Sequence, residues 1–139
     1  MTDGFYEDEV REGFYIPAAV KQAFGAELKI LNEIDRVCEK YGLKYYATWG
    51  TLLGAVRHGG FIPWDDDLDI WMLRKDYDRL IGLIEKELPK GYAIYDFRTR
   101  EEHEQFLGNV VNISHICYEP KHLTEYHGFP SHRSPFSLK

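Results

Sequence analysis

At 139 residues the chain is one domain's worth, and with 44% hydrophobic residues it can bury a core of roughly two-thirds of its unfolded surface. A formal charge of −6 argues against a nucleic-acid binder, which carries a basic face. No apolar run approaches the ~20 residues of a membrane span, and Met1 to Arg11 is acidic rather than signal-like, so the chain reads as cytoplasmic with room to act beside a membrane.

Residues 1–16 read as an irregular arm with aromatic anchors Phe5, Tyr6, Phe14 and Tyr15. Pro17 suits a first helical turn, and Val20, Phe24, Leu28, Leu31, Ile34, Cys38 and Tyr41 then recur at helical spacing until Gly42 ends the helix. Leu43 to Trp49 reads as a strand broken by Gly50, Thr51 to Val56 as a short helix, and His58-Gly59-Gly60 as a loop. Asp67 to Leu73 is a second strand, and residues 75–88 form an amphipathic helix closed by Pro89 and Gly91. Tyr92 to Phe97 and Asn109 to Tyr118 are further strands, and the tail 131–139 has no periodicity. This order gives an α/β (α+β) domain with helices packed on a small mixed sheet. Cys38 falls on the apolar helix face and Cys117 in a strand, which fits two buried free thiols better than a disulfide.

The run Ile62-Pro63-Trp64-Asp65-Asp66-Asp67-Leu68-Asp69-Ile70 packs four carboxylates into five positions and then enters an apolar strand. Strand alternation would put Asp65, Asp67 and Asp69 on one face, where like charges repel unless a cation compensates. A hard divalent ion such as Mg²⁺ prefers carboxylate oxygens and bridges to substrate phosphates, so the run points to metal-assisted phosphoryl chemistry. A solvated acid loop is the plain rival, but it has no need of the bulky apolar residues on either side. An EF-hand calcium loop would need Gly where Ile70 stands. His115, Cys117, His122 and His127 are ligand types whose spacing matches no zinc pattern.

Upstream, a strand turning at Gly50-Thr51 into a helix offers free backbone N–H groups and a positive dipole end, a place to hold phosphate. The rival is a simple N-cap by Thr51. Strand, Gly-Thr, helix, then the acid-apolar-acid strand Asp67-Leu68-Asp69 is similar to the signature order of the nucleotidyltransferase superfamily. More closely, Gly50-Thr51-Leu52-Leu53-Gly54, Arg57-His58-Gly59-Gly60-Phe61-Ile62-Pro63-Trp64-Asp65-Asp66-Asp67-Leu68-Asp69 and Lys75-Asp76-Tyr77 strongly resemble the LicD family over roughly residues 15–130. That family contains phosphocholine transferases that decorate bacterial surface glycans and is related to the fukutin-type enzymes.

The resemblance implies a nucleotidyltransferase-like core over 17–130, flanked by the arm 1–16 and the tail 131–139. It implies transfer of a phospho-alcohol, typically phosphocholine, from a CDP-linked donor to a sugar hydroxyl, releasing CMP. Mg²⁺ (or Mn²⁺) would bridge the donor diphosphate to Asp67 and Asp69, with Asp65 as a third ligand or as a support behind the ligands. Gly50 and Thr51 would cradle donor phosphate, and Arg57 would clamp a phosphate oxygen. His58 is either a base or a loop histidine packed on Trp64. In the family, a segment like Tyr126-His127-Gly128-Phe129-Pro130 leads into a further acidic strand, whereas this chain continues Ser131-His132-Arg133-Ser134-Pro135 and ends, so it reads as truncated. Glu119 and Glu125 are stand-ins for the missing carboxylate; Asn112 is not a base. The alternatives are a non-catalytic remnant that binds metal or nucleotide or acts only as an interaction domain, and a minimal nucleotidyltransferase modifying a protein or small molecule.

Overall fold

The computed structural model describes residues 3–65, 67–96, 98, 108–113 and 137–138. Its longest element is helix α1, Ala18–Tyr41. Ile30, Ile34, Val37 and Cys38 fall on one stripe of that helix and form the main core with Leu43, Leu68, Leu80, Ile84, Ile94 and Val110. Gly42 closes α1 in the left-handed conformation (φ 63°), which lets the Leu43 N–H donate to Cys38 O at 2.9 Å. Cys38 is a buried free thiol, pushed up to about 11 chiefly by its burial, then by Asp35 and Asp76. Cys117 lies outside the described residues.

The predicted α+β class holds, with every described strand pair antiparallel. Strand β3 (Tyr45–Ala47) is followed by helix α2 (Trp49–Arg57) and then pairs with β4 (Ile70–Met72), Ala47 facing Ile70. Helix α3 (Arg74–Glu87) packs beside α1 and against β5 (Tyr92–Tyr95). Strand β6 (Asn109–Asn112) lies between β5 and β7 (Ser137–Leu138).

Three expectations change. Within the arm 1–16, the described residues 3–16 are not irregular: after a 3-10 turn, Asp3–Tyr6, strands β1 (Glu9–Arg11) and β2 (Phe14–Ile16) form a hairpin. Its two-residue turn has positive φ at both Glu12 (52°) and Gly13 (82°), the conformation that matches the twist of paired strands. The tail is not wholly irregular either, since Ser137 and Leu138 pair with Val111 and Val110. The acid segment is not a strand from Asp67: Leu68 makes an isolated bridge and β4 starts at Ile70. The physical reason is that β3 ends at Ala47 and the chain turns into α2 after Thr48, so the β3–β4 ladder stops at Ile70.

Ion pairs fasten the outer elements. Glu9 joins Arg11 (2.7 Å) and the buried Lys21 of α1, and Glu87 joins Lys40 (2.8 Å) and Tyr41 (2.5 Å). Arg11 and Lys21 hold the Glu9 carboxyl down to about 2, and Lys40 and Tyr41 hold Glu87 down to about 2, against an ordinary 4.5. A depressed carboxyl contributes stability above its unfolded value, and that stability is lost as pH falls through the folded one. Acid titration followed by circular dichroism should therefore show stability draining away from pH 4.5 down to about 2, and Glu9→Gln should flatten that slope. An unchanged slope in Glu9→Gln would remove the Glu9 cluster from the account.

Candidate functional site

The site is built where β3 becomes α2. Trp49 takes a positive φ of 44°, a strained conformation for so large a residue, and the chain turns there within one residue. Gly50 and Thr51 thereby form the first turn of α2, where backbone N–H groups lack helical acceptors. The acid segment returns to this turn at two points. The Asp65 carboxylate occupies the space above Gly50, where a Cβ would fall 2.1 Å from its Oδ2. The Asp69 N–H donates to Thr51 Oγ1 at 2.7 Å, and the Thr48 N–H donates to the Asp69 carbonyl at 3.2 Å. Asp69 is thus fixed through both backbone groups and is only 7% exposed. Thr51 is not the N-cap of α2. Thr48 holds that position without a side-chain cap, and the Thr51 hydroxyl ties helix to acid segment instead.

Leu68 anchors the segment by entering the main core between half-buried Asp67 and buried Asp69. Beneath α2, Gly54 sits against the Gly60 carbonyl; a Cβ there would lie 2.4 Å from that oxygen and 3.1 Å from Ile62 N. This contact sets the path of the loop that delivers Trp64 and Asp65.

Arg57 and His58 are brought together, but away from the role of a base. Arg57 Nε donates to His58 Nε2 at 2.7 Å, so His58 presents Nδ1–H, 3.2 Å from Glu12 Oε2. The His58 side chain is 1% exposed and lies edge-on to Trp64, with ring centroids 6.0 Å apart. The Arg57 guanidinium stands 5.9 Å from the Trp64 ring centre, and among the described residues its Nη groups donate to nothing, so they are available to an anion. The hairpin braces this loop: Arg11 Nη1 donates to Phe61 O at 3.1 Å, and Phe14 meets Trp64 at 5.5 Å. Sequence reasoning missed Arg11, Glu12 and Phe14 as supports of the site. The Glu12-Gly13 pair was the available turn signal.

Among the described residues, no three His, Cys, Asp or Glu side chains converge to hold a metal ion. Asp65, Asp67 and Asp69 therefore do not make the closed three-carboxylate set expected of an extended strand, because the ladder ends at Ile70 and alternation does not extend back to Asp65. The donor chemistry still fits Mg²⁺. The Asp65 carboxylate stands over the helix start, and this ion takes one or two carboxylates and fills its other positions with water and substrate phosphate oxygens. Asn112 is buried at the end of β6. His115, Cys117, Glu119, His122, Glu125 and His127 lie outside the described residues.

A family model described as "LicD/FKTN/FKRP, nucleotidyltransferase domain" matches residues 42–134, a stretch holding every one of these site residues except the hairpin supports. The chain belongs to the LicD family. The lipopolysaccharide cholinephosphotransferase LicD of Haemophilus influenzae is 39% identical over 87 residues, covering 62% of this chain and 32% of that protein. The ribitol 5-phosphate transferase FKRP of human and of mouse is 43% identical over 53 residues, covering 35% of this chain and 11% of each relative. An uncharacterized protein, RP689 of Rickettsia prowazekii, is 38% identical over 66 residues, 48% of this chain and 25% of that one. This LicD-family chain thus spans about a third or less of the length of these relatives. No solved structure matches it. Among the described residues no helix is long and apolar enough to cross a membrane.

Proposed function

We propose that this LicD-family chain carries the donor half of a Mg²⁺-dependent transferase. It moves a phospho-alcohol, phosphocholine first among candidates, from a CDP-linked donor to a sugar hydroxyl of a cell-surface glycan. The reaction runs in the cytoplasm, at the inner face of the membrane. The observation that carries this reading is the double tie of the acid segment to the first turn of α2, Asp65 over Gly50 and Asp69 N–H on Thr51 Oγ1. It brings the Asp65 carboxylate and the Asp69 backbone to a helix start whose first N–H groups lack helical acceptors, so an anionic diphosphate and its cation would be met together.

In this reading Asp67 and Asp69 hold the ion and Asp65 steadies it or its waters. Bound there, Mg²⁺ supplies Lewis-acid withdrawal of charge from the donor diphosphate. The Gly50 and Thr51 backbone N–H groups orient the donor phosphates, and the Nη groups of Arg57 clamp a phosphate oxygen. The acceptor hydroxyl gives its proton to solvent water as its oxygen bonds the phosphorus bearing the alcohol. The bond from that phosphorus to CMP breaks, and CMP leaves with the electron pair. His58 positions Arg57 rather than taking that proton, because its Nε2 accepts from Arg57 and its ring is enclosed. One observation favours a second reading, a site that binds donor without turning it over: no three metal-ligating side chains converge among the described residues.

Calorimetric titration of Mg²⁺ and CDP-choline, run beside a CMP-release assay, tests the proposal. The expected result is Mg²⁺-dependent binding with CMP release, both lost in Asp67→Asn and Asp69→Asn. Binding without release selects the second reading. No binding by a folded sample overturns both.

A further inference from the structure

The β3–β4 ribbon has two unlike faces. Leu68, Ile70 and Met72 turn to the core. On the other face Tyr46 stands opposite Trp71, ring centroids 6.1 Å apart and planes tilted by 46°. Both rings are open to solvent, 48% and 56% exposed, with Trp71 two residues along the ribbon from Asp69.

Other ring faces of this protein are already covered by its own cations: Phe5 by Lys21, Tyr41 by Lys40, Trp64 by Arg57, and Tyr77 by Arg74 and Arg98. Among the described residues no Lys or Arg covers Tyr46 or Trp71. Among the described residues the pair is therefore a π surface with no cation of its own, at the edge of an anionic site. Lys44 shares this face by alternation, at the end away from Asp69. A cation is thus drawn to the Asp69 side of the rings.

We propose that Tyr46 and Trp71 form the head-group subsite of the donor and select a quaternary ammonium alcohol over a polyol. The inference rests on the donor reading above. A trimethylammonium group cannot hydrogen-bond, is weakly hydrated, and is attracted by the negative faces of aromatic rings. A polyol presents hydroxyls that need partners, and two ring faces offer it none. Two residues of strand rise, about 6–7 Å, separate Trp71 from Asp69. An extended phosphocholine spans a like distance between its nitrogen and its metal-facing phosphate oxygens. The same geometry makes Trp71 a specificity residue rather than a catalytic one.

The probes are choline and its uncharged isostere 3,3-dimethyl-1-butanol, read by saturation-transfer NMR on the full chain, with Mg²⁺-CDP titrated separately. Transfer to the trimethylammonium protons is expected, with choline preferred to the isostere. Trp71→Leu should weaken choline about five-fold, while Tyr15→Leu, at an exposed aromatic of the hairpin, leaves it unchanged. Trp71 and the Tyr15 of the control are both 56% exposed, so folding is checked simply by circular dichroism. No transfer, equal binding of the isostere, or undiminished choline binding by Trp71→Leu overturns the subsite. Choline selectivity lost in Trp71→Leu alongside failed Mg²⁺-CDP binding would keep the subsite and sink the donor reading. Mg²⁺-CDP binding without choline selectivity would do the reverse.

Discussion

Gly54→Ala should destabilise the folded chain by about 1–3 kcal/mol, although alanine is ordinarily the better helix residue by about 1 kcal/mol. The added methyl would lie 2.4 Å from the Gly60 carbonyl and 3.1 Å from Ile62 N, and both are backbone atoms. Backbone cannot rotate away as a side-chain tip can, so α2 or the loop from Gly59 to Ile62 must shift. That loop is also held by Arg11 at Phe61 O and by the stack of Phe24 on Phe61, rings 4.1 Å apart. Urea unfolding would show the change as a lower midpoint at constant slope. An unchanged midpoint would mean that the loop lifts at no cost and that the contact does not set its path.

Gly50→Ala, four residues earlier in the same helix, should do the opposite. There the methyl meets the far end of a side chain, Asp65 Oδ2 at 2.1 Å and Cγ at 3.2 Å. The carboxylate can swing aside, so stability should stay within about 0.5 kcal/mol of the parent. Displacing Asp65 from the helix start should nonetheless cost on the order of 10²-fold in CMP release, the scale of a misplacement of about 1 Å at a reacting site. Unfolding midpoint and CMP release measured on the same preparation check both halves. A Gly50→Ala protein with full CMP release would take Asp65 out of the site.

The legible parts of this fold were those with a long period or a local signal. The apolar spacing of α1 and its stop at Gly42 span enough turns for periodicity to speak, and α3 carries the same kind of stripe. The β1–β2 hairpin was invisible because its strands have three residues each, too short for alternation to register, and Glu12-Gly13 is a weaker turn signal than Asn-Gly. The pairing of Gly50-Thr51 with an acid segment could be read from motif order. That Thr51 would accept from Asp69 rather than cap its own helix could not, because it depends on where β3 stops. The same long-range geometry decides that Asp65, Asp67 and Asp69 are not one strand face. The brace of Arg11, Glu12 and Phe14 joins residues some 50 positions from the loop they hold, as Arg11 to Phe61 shows, and no local pattern encodes it.

The facing pair Ala47 and Ile70 closes a chain loop that contains all of α2 and the acid segment. The residues proposed to meet the donor phosphates and the ion, Gly50, Thr51, Arg57, Asp65, Asp67 and Asp69, lie inside it. Its entry and exit are stitched together by two hydrogen bonds, Thr48 N–H to Asp69 O and Asp69 N–H to Thr51 Oγ1. A three-residue ladder is a thin seam, and regions held by few bonds open at a fraction of the global unfolding free energy. The site should therefore breathe as one unit: the amides of Thr48 and Asp69 should exchange with solvent deuterium at a common rate, faster than those of α1. Donor bound across the seam would slow both together, making assembly of the binding site and closure of the loop a single event.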